Sequence, residues 1–326
     1  MNNIIAITGG TGHIGTALIE LLIQEDYLIR ALYHRSLPIL AHKNLTWIQG
    51  DINDSITLSS LFSEAQIVVH CAALVSIDDH NTEKLFQINV EGTQAVINAC
   101  LKKQAIRLIH ISSSDVAQSK SEHDIFDESV PYKNDDTNSY EASKIKAEKA
   151  IIAAVKTHDL DAVILRPTAV VGPPDYHPSL LGETIYNLAY GNIPMLTTGG
   201  YDMIEVRDLC QTIINSFDKA RKGEIYLLCG SFCSIEKMAK LANPHRSWIT
   251  IPTQLLLAIY PIVRWYLKIT KSNLPLTRKS LLTLQQSPRY MVDNKAKKEL
   301  NHKCRSIEST ISDLLKWNKE EFDIYE

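Results

Sequence analysis

Tyr140 and Lys144 stand four residues apart in the stretch YEASK, at the start of a helical pattern that continues as IKAEKAIIAAVKTH. That spacing puts a phenol and an ammonium on one helix face, one turn apart. A free phenol has a pKa of about 10 and is a poor base at neutral pH, so a cation that lowers it would make Tyr140 a proton carrier. Proton exchange with a carbinol or carbonyl oxygen also calls for a hydroxyl or amide within reach of that oxygen. IHISSSDV supplies candidates where an apolar run ends in Ser112, Ser113 and Ser114. Between the phenol and the ammonium, Glu141, Ala142 and Ser143 read as interchangeable.

These groups can meet only if a sheet delivers the serines and a helix delivers the phenol. The first half of the chain alternates short β-branched apolar runs with helical patterns, the sequence form of βαβ units in a parallel sheet. NIIAIT, YLIRALY, LTWIQG, AQIVVHCA, IRLIHIS and DAVILR are the strand candidates, with helical patterns near 14–25, 54–63, 82–103 and 140–157. The strands are almost wholly apolar, as expected when helices cover both faces. After RPTAVVGPP the rhythm changes to loops, a helical stretch near 180–190, the strand candidate EIYLLC, an apolar region at 251–270 and a closing helical pattern, SIESTISDLLKW. The expectation is an α/β fold: a Rossmann-type doubly wound parallel sheet in residues 1–170, completed by later segments. Residues 171–326 would form mainly a smaller substrate-binding lobe, with a cleft at the junction.

TGGTGHIG, residues 8–15, lies between the first strand and the first helix, with Gly9, Gly12 and Gly15 in G-x-x-G-x-x-G spacing. Glycines there allow a tight turn and close approach of backbone N–H groups to a pyrophosphate at a helix N-terminus. Gly9, Thr11, Gly12, His13 and Ile14 are therefore candidate cofactor contacts. A carboxylate about 20 residues further on would hydrogen-bond a free ribose 2′-hydroxyl, but ALYHRS places His34 and Arg35 there. A guanidinium suits a 2′-phosphate better, so NADP(H) is preferred over NAD(H). Asp51 and Ile52 after the third strand are candidates for the adenine side, Asp51 having helix capping as its alternative role. Ala72 and Ala73 after the fourth strand would let backbone approach the cofactor.

With 34 Lys and Arg against 37 Asp and Glu, the 326-residue chain has a formal charge of −3 and no broad electrostatic footprint for nucleic acid. Six scattered cysteines in mostly apolar runs read as buried thiols in a reducing compartment, and the Cys229/Cys233 pair lacks further ligands, so no metal site is expected. No charged n-region or cleavage site opens the chain, and a cytoplasmic protein is expected. IPTQLLLAIYPIVRWYLKI is broken by Pro261 and Arg264 and falls short of the roughly 20 apolar residues of a membrane span. Residues 255–269 read as a buried helix, as a lid over a substrate cavity, or as a weak contact with a membrane surface that would make the protein peripheral there.

Taken together, TGGTGHIG, Tyr140 with Lys144, and the serine-ended strand resemble the extended short-chain dehydrogenase/reductases, within the NAD-dependent epimerase/dehydratase family and nearest its dihydroflavonol reductase and 3β-hydroxysteroid dehydrogenase branch. The resemblance implies a catalytic set of Ser113, Tyr140 and Lys144, with Ser114 as the fallback for Ser113. It adds Asn89 in NVEGT on the cofactor side, and the segment of Arg166, Pro167, Gly172 and Pro173, with Val170 inside it, against the nicotinamide. It implies an NAD(P)-dependent interconversion of a secondary alcohol and a ketone on a fairly apolar small molecule. The alternatives are a nucleotide-sugar epimerase or dehydratase, which could use Arg207, Arg221 and Arg246 for a diphosphate, and a non-enzymatic nucleotide-sensing scaffold. A homodimer is a further implication. The chain departs from the resemblance at Val116, Ala117 and Gln118, and at PPDYHPS.

Overall fold

The computed structural model describes residues 4–75, 82–103, 107–118, 121, 123–134, 139–269 and 277–322. Its strands are β1 (Ile4–Thr8), β2 (Leu28–Tyr33), β3 (Leu45–Gln49), β4 (Ala65–His70), β5 (Arg107–Ile111), β6 (Ile125–Phe126), β7 (Ala162–Pro167), β8 (Ala169–Val171), β9 (Leu196–Thr197), β10 (Gly200–Glu205), β11 (Ile225–Leu228), β12 (Ser231–Ser234), β13 (Thr250–Ile251) and β14 (Tyr290–Met291). Seven of them form one sheet in the order β11-β7-β5-β4-β1-β2-β3, every pair parallel. Strand order reverses between β1 and β4, which opens a crevice at the carboxyl ends of those two strands.

Helices cover both faces. The helices are α1 (His13–Gln24), α2 (Ser55–Leu61), α3 (Thr82–Phe86), α4 (Gly92–Lys103), α5 (Tyr140–His158), α6 (Leu180–Ala189), α7 (Val206–Lys219), α8 (Ile235–Ala242), α9 (Thr253–Ala258), α10 (Tyr260–Ile269), α11 (Arg278–Gln286), α12 (Asn294–Leu300) and α13 (Ile307–Phe322). One core holds Leu18 and Leu22 of α1 with Ile213 and Phe217 of α7 against Ile5, Ile7 and Ile109 of the sheet. The other holds Leu58, Val96 and Ile151, from α2, α4 and α5, against Ala6, Val68 and Leu108. Alternate residues of one strand thus enter opposite cores, which is why the strand sequences are apolar throughout. The Rossmann-type doubly wound sheet is as the sequence led us to expect.

Segments beyond residue 170 contribute to both parts: α7, β11 and α12 pack on the sheet. The smaller lobe has its own core, with Val171, Ile185, Leu188, Met203, Met238 and Ile311 among its buried side chains. A short sheet, β12-β10-β8, runs through it.

The apolar stretch near 251–270 becomes α9 and α10, joined at Ile259. Pro261 lies in the first turn of α10, where its missing N–H costs no helical hydrogen bond. Ile262 and Trp265 are about two-thirds exposed, which removes the reading of α10 as a buried helix. Among the described residues, no helix is long and apolar enough to cross a membrane.

Candidate active site

Ser139 starts α5 by accepting a hydrogen bond from Ala142 N–H at 3.2 Å, a cap that fixes where Tyr140 leaves the loop. The Ser113 hydroxyl lies beside the Tyr140 phenol and favours its ionised form, and both residues line the same cavity. Ser113 follows β5 in extended conformation and accepts from Asp115 N–H at 3.1 Å as the chain turns through Ser114–Val116. Ser113 and Ser114 both line the cavity with Tyr140, and Ser113 is the serine whose hydroxyl acts on the phenol. One helical turn on, Lys144 is buried and donates to the Ile111 carbonyl at the end of β5, at 2.7 Å.

The electrostatics correct one expectation. The net shift of the phenol is upward, not downward. Burial, followed by the Asp115 and Glu141 carboxylates, raises Tyr140 above the ordinary phenol range, and the neighbouring Ser113 hydroxyl offsets this only in part. The ammonium itself is pushed down to about 8, because burial outweighs the attraction of Glu148. Behind it, His70 is held neutral, its value lowered to about 3 by burial and then by Lys144. Its Nδ1 lies 2.7 Å from the Thr8 hydroxyl and its Nε2 2.9 Å from that of Thr93.

Three contacts that spacing did not reveal hold α5. Ser143 is fully buried, accepts from Asn89 Nδ2 at 2.9 Å and donates to the Tyr140 carbonyl at 2.6 Å. It is not interchangeable. Arg166 does not reach toward a cofactor: its guanidinium grips Glu148 from Nε at 3.0 Å and Nη2 at 2.6 Å, and Tyr132 donates to the same carboxylate at 2.8 Å. Glu141, on the rim, pairs with Lys279 of α11 at 2.8 Å. No local signal could have matched Lys279 to Glu141.

At the nucleotide end, Gly9 has φ +72°, and a side chain on Gly15 would collide with the Gly9 carbonyl at 2.1 Å. The turn at Gly9 lies directly on the Ala72 backbone, so the loops after β1 and β4 touch. Helix α1 begins at Gly12 with no side-chain cap and no acid in its first turn. Its N–H groups therefore suit an anion such as a pyrophosphate. The His13 ring is engaged elsewhere, Nε2 lying 2.7 Å from the Gly172 carbonyl, while Thr11 lies in the loop before Gly12 and Ile14 in the first turn of α1. His34 and Arg35 are exposed past the end of β2. Asp51 accepts from Asn53 N–H at 2.8 Å, and Asp54, not Asp51, caps α2. Ile52 turns its side chain into the core beside Leu58 and Val96.

Ala72 and Ala73 are half-buried. Asn89 spends its amide on the next residue of that loop, accepting from Leu74 N–H at 2.7 Å and donating to the Leu74 carbonyl at 3.0 Å. Pro167 is buried at the end of β7, and Val170 on β8 packs against the sheet core.

Ser113 and Tyr140 open into a cavity of about 1300 Å³ between the sheet and the smaller lobe, walled mostly by apolar side chains. Four carboxylates, Asp115, Glu141, Glu183 and Asp202, and three cations, Lys133, Lys279 and Arg289, lie on its wall. Arg207, Arg221 and Arg246 do not line it. Arg207 is paired with Glu205 and Asp313, Arg221 with Glu299, and Arg246 lies over Trp248. Among the described residues, no group of three His, Cys, Asp or Glu is placed to hold a metal ion.

With this geometry in place, the chain belongs to the NAD dependent epimerase/dehydratase family, which matches residues 5–229. It is 27% identical over 329 residues to sterol demethylase protein B of Methylococcus capsulatus, covering 96% of this chain and 98% of that protein. It is 30% identical over 238 residues to dTDP-glucose 4,6-dehydratase of Mycobacterium tuberculosis, covering 68% and 71%. The dTDP-glucose 4,6-dehydratase of Bacillus anthracis, solved with NAD, shares the fold at a TM-score of 0.78 and 20% identity, over 99% of this chain and 98% of that one. Such names spread over several activities, epimerases and dehydratases foremost, and do not single out the reductase and steroid dehydrogenase branch.

Proposed function

We propose that the protein is an NAD(P)-dependent oxidoreductase interconverting a secondary alcohol and a ketone on a largely apolar substrate. The observation that carries this reading is that the neighbouring Ser113 and Tyr140 hydroxyls both face a large, mostly apolar cavity. A bound nicotinamide would supply or accept the hydride. Tyr140 would give its proton to the substrate oxygen or take it back, while Ser113 hydrogen-bonds that oxygen. A phenol held above its ordinary value is protonated at neutral pH, which suits the donor role in ketone reduction. Lys144 would hold the nicotinamide ribose, and the α1 N-terminus with Gly9 and Gly12 the pyrophosphate. Arg35 favours a 2′-phosphate, hence NADP(H) before NAD(H). On this reading residues 1–170 carry the cofactor and 171–326 mainly the substrate.

A nucleotide-sugar epimerase or dehydratase is the second reading, and the names of most relatives favour it over the first. The same hydroxyl pair could oxidise a sugar carbinol. Asp115, on the cavity wall with its carboxyl raised by burial, is a candidate for the extra acid and base that dehydration needs. Against it stands the wall's charge: carboxylates outnumber cations, and Lys279 is committed to Glu141.

The deciding experiment follows NADPH and NADH consumption with ketosteroids, flavonoid-type ketones and nucleotide sugars, alongside Tyr140→Phe. Turnover of an apolar ketone that falls about 10²-fold or more in Tyr140→Phe, with nucleotide binding retained, is the expected result. Turnover of nucleotide sugars alone would replace the first reading by the second, and full activity of Tyr140→Phe would remove the proton relay.

A further inference from the structure

From Lys237 to Val292 the chain has nine Lys and Arg and no Asp or Glu, although the whole protein has a formal charge of −3. Lys237, Lys240 and Lys279 are paired with acids outside this segment. Arg246 and Arg289 lie over the Trp248 and Phe232 rings, whereas Arg264 is exposed on α10 and Lys268 belongs to the same helix. The outer side of α9 and α10 is apolar beside them: Leu255 is 52%, Ile262 67%, Trp265 65% and Ile269 60% exposed. Ile262, Trp265 and Ile269 recur at three- and four-residue spacing, so they form one stripe.

Exposed side chains of this size in a row mark a surface that something else covers. Ile262 and Trp265 also line the cavity, as do the exposed Val75, Leu180 and Met195. The Ile262 and Trp265 part of the stripe therefore borders the cavity's mouth. A second copy of the chain meeting this face across a two-fold axis would set the cationic segment against itself. An anionic bilayer instead offers negative headgroups to the Lys and Arg side chains and hydrocarbon to the stripe. We propose that the α9–α10 face docks on an anionic lipid bilayer, Ile262 and Trp265 entering the headgroup and acyl boundary, so that the cavity opens toward the membrane. Binding is independent of which reaction the cavity hosts and is read without turnover.

The test is co-sedimentation of the full-length protein with phosphatidylcholine vesicles, with and without phosphatidylglycerol, at low and high salt. Phosphatidylglycerol should strengthen binding by about tenfold or more, and high salt should reverse that gain. The double variant Ile262→Glu, Trp265→Glu should lose binding by a similar factor while its circular dichroism and melting stay unchanged. Should that variant misfold, Trp emission decides: the blue shift on vesicle addition must be present in the wild type and absent in Trp265→Phe. The proposal is overturned by absence of vesicle binding, by binding indifferent to the double variant, or by an emission shift that survives Trp265→Phe. It is equally overturned if the face instead mediates a dimer that Ile262→Glu dissociates.

Discussion

Lys279 donates to the Glu141 carboxylate at 2.8 Å across a sequence separation of 138 residues, tying the residue beside Tyr140 to α11 of the smaller lobe. Burial opposes the Glu141 charge most strongly, but the Lys279 hydrogen bond and charge, a backbone hydrogen bond and Lys133 together outweigh it, and the carboxyl is held below its ordinary value. A lowered carboxyl contributes stability above its unfolded value and loses it as pH falls through the folded one. Lys279→Met should therefore cost about 0.5–1 kcal/mol at neutral pH and little in acid, as measured by urea unfolding at both. If the tie positions α11 over the cavity, the same variant raises KM several-fold more than it lowers kcat.

Ser143 is the next point of leverage, because it is fully buried and receives the Asn89 amide. Ser143→Ala should destabilise by about 1–3 kcal/mol in equilibrium urea unfolding, since it leaves a buried N–H without its acceptor. A cost within error of zero would restore the reading of this position as a spacer.

Glu148 and Arg166 form a buried ion pair, both side chains almost wholly out of solvent. Removing one charge strands the other, so Glu148→Gln should cost about 3–5 kcal/mol. Tyr132→Phe, which removes only the neutral donor to Glu148, should cost about 1 kcal/mol. Thermal unfolding of the two variants side by side checks the ranking.

Lys144 makes a prediction in pH. The unfolded chain holds this proton up to its ordinary value of 10.5, whereas the folded protein releases it at about 8. Between those values the unfolded state binds more protons, so the Lys144 contribution to stability rises with pH. Below 8 both states are protonated and the cost of burying the ammonium is full. The stability of Lys144→Met relative to wild type should thus be most favourable near pH 7 and decline toward pH 10, as read by urea unfolding at the two values. A difference independent of pH would contradict the lowered value.

Much of this molecule is local in origin and was legible without coordinates. Strands enclosed on both faces must be apolar, so their runs stand out, and a turn with a positive φ at Gly9 is written as glycine. The four-residue spacing of Tyr140 and Lys144 is likewise a property of one helix. The direction of the Lys144 ammonium was not legible, because the packing of α5 against the end of β5 aims it at the Ile111 carbonyl. The commitment of Arg166 to Glu148, of Asn89 to Leu74 and Ser143, and of Lys279 to Glu141 was hidden for the same reason. Each joins side chains whose distance is set by how elements stack, not by position along the chain. By itself the sequence determined the doubly wound sheet, its glycine turn and the helix that carries a phenol and an ammonium on one face. Only the tertiary structure decided that burial raises the phenol, and how a mostly apolar wall with more carboxylates than cations encloses the Ser113 and Tyr140 hydroxyls, since desolvation and enclosure arise only when distant segments pack together.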